Sequence, residues 1–239
     1  MISRPGNDHF GPLLRGDIDV IAAWISRWSA GHTARQVFVI IFGAGAFGAA
    51  MGSWRAPEQA VWSAIKLPFV FVATAAGNAL LNAMLAPLLG INLTIRESFA
   101  AVLMSFALAA VILGAFSPIM VFLVWNLPVS EPGVPVAAAA RSVMLLTLIA
   151  VIAFAGVTAN VRLLHLLRRL GGGVSAARRL LFAWLAVNLL LGTQVSWIAR
   201  PFIGRVDVPV TFLEAHPLEG NFFEETGRTA AELWRHFFP

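Results

Sequence analysis

The chain has 239 residues, of which 59% are hydrophobic and 12% charged, against roughly 45–50% and 25% in soluble domains. That balance argues for an integral membrane protein. There is no cysteine, which excludes disulfides, thiolate nucleophiles and Cys-based metal or cluster sites. The sequence pI is near 11.4, yet the basic residues flank apolar runs and do not interleave with aromatics, so nucleic acid is not expected as a partner.

Residues 1–16 hold Pro and Gly at several points and read as irregular. No cleavable leader pattern opens the chain, so the first span is expected to serve as its own insertion signal. Between Asp17 and Trp28, Ile18, Ile21, Ile25 and Trp28 recur at spacings of three and four, with Trp24 beside them. This pattern predicts a short amphipathic helix, lying in the membrane interface or packed on the protein's own cytoplasmic loop.

The first span is expected over about residues 36–53. Within it Gly43, Gly45 and Gly48 spell G-x-G-x-x-G, but that dinucleotide fingerprint needs a strand before it and a helix opening at it. Apolar sequence on both sides favours close helix packing instead, with Gly48 and Gly52 as a small-xxx-small pair and Ala44 extending the stripe. A second span follows over about 60–89. Lys66 and Pro68 fall in its first turns, where Lys can snorkel, and Thr74, Asn78 and Asn82 then recur every four residues as a polar stripe.

The third span, about 98–125, carries Pro118 with Gly114 four residues earlier, which predicts a kink. The fourth covers about 136–161. Then comes the basic link Asn160 to Leu180, with Arg162, Arg168, Arg169, Arg178 and Arg179 and no acidic residue. Links of this composition stay cytoplasmic. The fifth span, about 180–199, holds Asn188 and Gln194, and Asn188 is deep enough to need a partner on the second span. A tail follows, with an extended segment expected at Val206 to Phe212 and a helix at Glu224 to Phe238.

Together these elements predict an all-α integral membrane protein with five transmembrane helices. A cytoplasmic N-terminal segment (1–35) carries the interfacial amphipathic helix, a transmembrane domain covers 36–199, and a small outer, periplasmic tail covers 200–239. Ten of the 17 Lys and Arg residues then lie inside, in line with the positive-inside rule. Trp54, Trp62, Trp125 and Trp197 all fall at outer interfaces, where aromatic belts form.

Chemistry is sparse. No Asp or Glu falls in the middle of any span, so a carboxylate proton relay is not expected, and Glu58, Lys66, Arg96, Glu97 and Arg141 all read as boundary residues. No zinc-protease, nucleophile-elbow or P-loop pattern occurs. His165 reads as interfacial packing, and Glu214, His216 and Glu219 as a solvated acidic surface. No catalytic residue, metal or cofactor is expected. The seam of Asn78, Asn82, Asn188 and Gln194 reads as interhelical glue in preference to a solute path.

Three short stretches carry a resemblance: Ala64 to Pro68 (AIKLP), Gln194 to Gly204 (QVSWIARPFIG) and Gly220 to Phe223 (GNFF). Through them the chain resembles a family of uncharacterised bacterial multi-span membrane proteins. Its five-span layout is also similar, more loosely, to that of Yip1-type membrane proteins, which are associated with membrane organisation and partner binding. The resemblance implies that the joint at Trp197, Arg200, Pro201, Phe202 and Gly204 is the shared part. There Pro201 would end the helix, Arg200 meet headgroups, and Phe202 anchor the turn.

The expected function is therefore a non-enzymatic membrane subunit or scaffold of the bacterial inner membrane. Besides the lipid bilayer, it would bind a protein partner or a second copy of itself through its tail, its N-terminus or lipid-facing Gly and Ala surfaces. On that reading Gly48→Leu should dissociate the complex while the protein stays inserted. The alternative is a channel or transporter for a small solute along the Asn-lined seam.

Overall fold

Apolar runs of this length have one way to satisfy their backbone away from water, and that is the helix. The computed structural model describes residues 17–26, 29–89, 94–127, 135–169, 173–204 and 209–224. It contains α1 (Ile18–Ser26), α2 (Ala30–Gly52), α3 (Pro57–Leu88), α4 (Ile95–Asn126), α5 (Pro135–Arg169) and α6 (Val174–Ile198). Five of these, α2 to α6, contain stretches long and apolar enough to cross a membrane. No strand occurs among the described residues.

Helices start earlier than the apolar runs do, because capping groups recruit polar turns. The Ser29 hydroxyl accepts from the His32 N–H at 3.2 Å and starts α2 at Ala30. Pro57 opens α3, where its missing N–H costs nothing. A capping box starts α4: Thr94 Oγ1 accepts from the Glu97 N–H at 3.2 Å, and the Glu97 carboxylate takes the Thr94 N–H at 2.9 Å.

The apolar face of α1 packs on the protein itself. Ile21 and Ile25 are buried in a cluster with Leu163, Leu166 and Leu167 of α5. Asp19 pairs with Arg169 at 2.7 Å, both side chains well exposed. Such a surface pair contributes about 0–1 kcal/mol, so the isoleucines hold α1 in place. Trp28 lies outside the described residues.

Two clusters make the core. The lower, at the basic end of the bundle, joins all six helices around Ile40, Ala75, Leu103, Leu163, Leu180 and Trp184. The upper, at the Trp-rich end, gathers Phe47, Met51, Trp54, Leu113, Met120 and Met144. Large apolar side chains such as Phe42, Phe69, Phe122, Leu146 and Phe182 are exposed, as lipid-facing residues are in a spanning bundle.

The glycines set how close the helices come. A Cβ on Gly43 would run into the backbone carbonyl of Ala110, and one on Gly48 into that of Ser63. At Gly52 the obstacle is the Gln59 carbonyl, 2.5 Å away, and at Gly45 that of Ala64, 3.3 Å away. One face of α2 thus lies directly on the first turns of α3, and Gly43 lies on α4. Gly114 packs there too, with Gly43 Cα 3.0 Å from its would-be Cβ. Its small size is used for that crossing as well as standing four residues before Pro118.

In the tail, residues 209–212 form no strand, and 205–208 lie outside the described residues. Of the expected terminal helix only Glu224 is described, in a helical turn over 222–224. Asn221 caps that turn, its Oδ1 accepting from the Glu224 N–H at 2.9 Å.

Candidate functional site

On α3, Gln59, Ser63, Lys66, Val70, Thr74, Asn78 and Asn82 follow one another at steps of three and four, and all seven are buried. Residues at those steps share one face of a helix. That face is a polar spine through an apolar bundle, and polar groups in such surroundings need partners. Its upper half holds the tail and its lower half holds α6.

At the Trp-rich end, the chain leaving α6 folds back over the spine through a cis Arg200–Pro201 peptide. Gln59 Nε2 donates to the carbonyls of Pro201 at 3.0 Å and Phe202 at 2.8 Å. Lys66 Nζ donates to the Pro201 carbonyl at 2.8 Å, and the Ser63 hydroxyl to that of Phe202. The ammonium also lies 5.0 Å from the Phe212 ring centroid and 6.0 Å from that of Phe202, within reach of a cation–π attraction. Trp62 packs edge-on against Phe212, centroids 5.0 Å apart.

Lys66 therefore corrects the sequence reading. It is 2% exposed and reaches inward, because peptide carbonyls and ring faces supply what a headgroup would have supplied. A charge-assisted hydrogen bond of this kind is worth about 1.5–3 kcal/mol.

The other joint residues form a second layer. Trp197 Nε1 donates to the Glu219 carbonyl at 3.1 Å, and Gly220, at φ +68°, lies against the same indole. Arg200 lies 3.6 Å above the Trp197 ring, donates to the Trp197 carbonyl at 2.8 Å, and pairs with Glu214 at 2.8 Å. Its guanidinium is thus engaged by the protein, where the sequence had it meeting headgroups. Pro201 and Phe202 act through their carbonyls, and Phe202 and Ile203 pack on the upper core. The stretches around Lys66, Arg200 and Gly220 meet at this one place.

Gly204 closes the fold-back at φ +78°, a conformation that suits glycine. A Cβ there would stand 3.3 Å from Arg55 Cγ and 3.4 Å from Gln59 Oε1. Gly204→Ala is expected to cost about 1–2 kcal/mol, the left-handed penalty alone, and to lower the midpoint of unfolding in mixed detergent micelles.

In the lower half, Asn82 Nδ2 donates to Asn78 Oδ1, and Asn78 Nδ2 donates across to Asn188 Oδ1 on α6. Among the described residues Asn82 Oδ1 and Thr74 Oγ1 are buried without a partner. Gln194, expected in the same seam, is half-buried and has no hydrogen bond to it. It lies six residues beyond Asn188, well over a turn toward the other end of α6. The seam ends at Asn188.

This bond matters because α6 is the least embedded span, with 6% of its apolar window buried. Interhelical amide bonds are worth about 0.6–2 kcal/mol. Asn78→Leu is expected to lower the unfolding free energy in micelles by about 1–2 kcal/mol and to loosen α6 first, seen as faster exchange of its amides.

Among the described residues no group of three His, Asp or Glu side chains is placed to hold a metal. His216 pairs with Glu219 at 3.4 Å on the exposed surface of the tail. The sequence named Lys66 but assigned it to the boundary, and it passed over Gln59 and Ser63. The signal was the spacing: Gln59, Ser63 and Lys66 stand four and three residues apart and continue in register into Thr74, Asn78 and Asn82.

Helix lengths, the polar spine and the lipid-facing belt define an all-α multi-pass membrane protein. No protein-family model, no curated protein and no solved structure matches the chain.

Proposed function

We propose that this protein is a non-enzymatic membrane subunit or scaffold that presents its C-terminal tail as a fixed platform to a protein partner. The observation that carries this reading is the grip of Gln59, Ser63 and Lys66 on the Pro201 and Phe202 carbonyls. A tail that merely trailed from the last helix would not call for a buried lysine. On the held tail, Leu213, Leu218, Phe222 and Phe223 are exposed, and apolar groups beside a rigid base suit a partner's surface.

The glycine face of α2 is used inside the bundle, which removes it as a partner surface. On this reading the basic end lies in the cytoplasm and the tail outside, in a bacterial inner membrane, and the excess of Arg at that end supports the orientation. Amides that bond one another along the seam support interhelical glue over a solute path.

Native mass spectrometry of the protein extracted from its own membrane in a mild amphiphile tests this. A stoichiometric foreign protein that is lost on Leu218→Asp and Phe223→Asp substitution is the expected result. A monomer free of partners, together with solute flux in liposomes, would overturn the reading in favour of transport.

A further inference from the structure

Between α3, α4, α5 and α6 lies a cleft of about 140 Å³, lined by Phe71, Phe106 and Leu113 on one side and Gly156, Asn160 and Asn188 on the other. Phe71 and Phe106 meet edge to face, centroids 5.4 Å apart. Ile152 on the rim is 49% exposed, so the cleft opens toward lipid.

Its polar atoms are unusual for a surface that hydrocarbon alone would fill. Asn188 Oδ1 accepts from Asn78 Nδ2, and Asn188 Nδ2 has no partner among the described residues. Asn160 turns its Nδ2 back onto the Gly156 carbonyl at 2.8 Å, and the Ser105 hydroxyl lines the same cleft. An acyl chain leaves the Asn188 Nδ2 unmet, and an unmet amide in hydrocarbon is costly. The volume is close to the ~150 Å³ of an apolar cavity that takes up benzene.

We infer that this cleft binds the ring of a neutral membrane-soluble amphiphile whose carbonyl or hydroxyl oxygen hydrogen-bonds Asn188. Phe71 and Phe106 face the ring, and the Asn82–Asn78 chain holds the Asn188 amide in position from behind. The ligand enters sideways from the bilayer, so no aqueous route is needed.

The full-length protein in lipid nanodiscs tests this through the thermal shift given by three probes that share one tail: decyl-para-benzoquinone, para-decylphenol and decylbenzene. An oxygen-bearing probe should stabilise the wild type with an apparent affinity at least about tenfold above that of decylbenzene, the worth of one hydrogen bond. Preference for the quinone identifies a donor at Asn188. Preference for the phenol alone identifies the amide oxygen there, and each supports the site. Asn188→Leu should reduce the oxygen-bearing probes to the level of decylbenzene. Because that change also breaks the bond to Asn78, Gly156→Leu is the second variant. A Cβ at Gly156 meets nothing within 4 Å, so the new side chain fills the cleft without a backbone clash and should abolish the shift by every probe. Equal shifts from all three probes, no shift from any, or an oxygen preference that survives both variants would overturn the inference.

Discussion

Lys66→Met should loosen the hold on the tail while leaving the five spans in place. The substitution keeps the length and apolar character of the side chain and removes only the ammonium, which donates to the Pro201 carbonyl and faces the Phe202 and Phe212 rings. Gln59 still reaches both carbonyls, so the fold-back persists as a minor opening equilibrium. A loss of about 2 kcal/mol, within the range for hydrogen bonds to charged groups, corresponds to roughly thirtyfold faster exchange of tail amides. Hydrogen exchange at Glu219 and Glu224, whose N–H groups are bonded within the held tail, reads this. Adding Gln59→Leu removes the remaining donor to Pro201 and should bring exchange near that of an undocked segment. Unchanged protection in the single variant would mean that Gln59, Ser63 and the apolar contacts of Phe202 and Ile203 hold the tail without the lysine.

Gly48→Leu has the larger expected effect, and it falls on the bundle itself. Its Cβ would overlap the Ser63 carbonyl, which is backbone on a neighbouring helix and cannot rotate away. Overpacking commonly costs about 1–3 kcal/mol and more where nothing yields, so at least about 3 kcal/mol is expected here. The consequence reaches the tail as well, because α2 rests on the α3 turns that carry Gln59 and Ser63. Loss of folded protein after detergent extraction, together with loss of tail protection, is the expected outcome. Gly156→Leu, with open space at its Cβ, is the matched control and should extract normally. A Gly48→Leu protein that stays folded and loses only a bound partner would return the glycine face to the role of an intermolecular surface.

These two substitutions separate what the residues disclose from what only the fold brings together. Five apolar runs between turn signals were plain, since span length follows from bilayer thickness. The close packing of Gly43, Gly45, Gly48 and Gly52 followed from residue size, but not which helix each would meet. The bond from Asn78 to Asn188 was anticipated because a deep amide has few places to go. Gln194 shared its composition and not its position. Lys66 was legible as a charge and misread as reaching outward, because a sequence shows how far a lysine lies from a helix end and not what waits above it. What waits is the Pro201 carbonyl, 135 residues away in the chain, and no local pattern encodes that meeting. In-register spacing from Gln59 to Asn82 was the one hint that this face of α3 carries a single polar line.

If α3 is a spine that holds the tail, then Trp62 and Phe212 are neighbours in the native membrane. The chain has no cysteine, so a Trp62→Cys, Phe212→Cys pair can be tested in an otherwise silent background. Treatment of intact membranes with a short bifunctional thiol reagent should link the two positions. After cleavage at a protease site inserted among residues 128–134, the linked fragments should migrate as one. Adding Lys66→Met together with Gln59→Leu should reduce the linkage sharply. Fragments that separate in the unmodified spine, under conditions where each cysteine alone is fully labelled, would contradict the docking of the tail on α3.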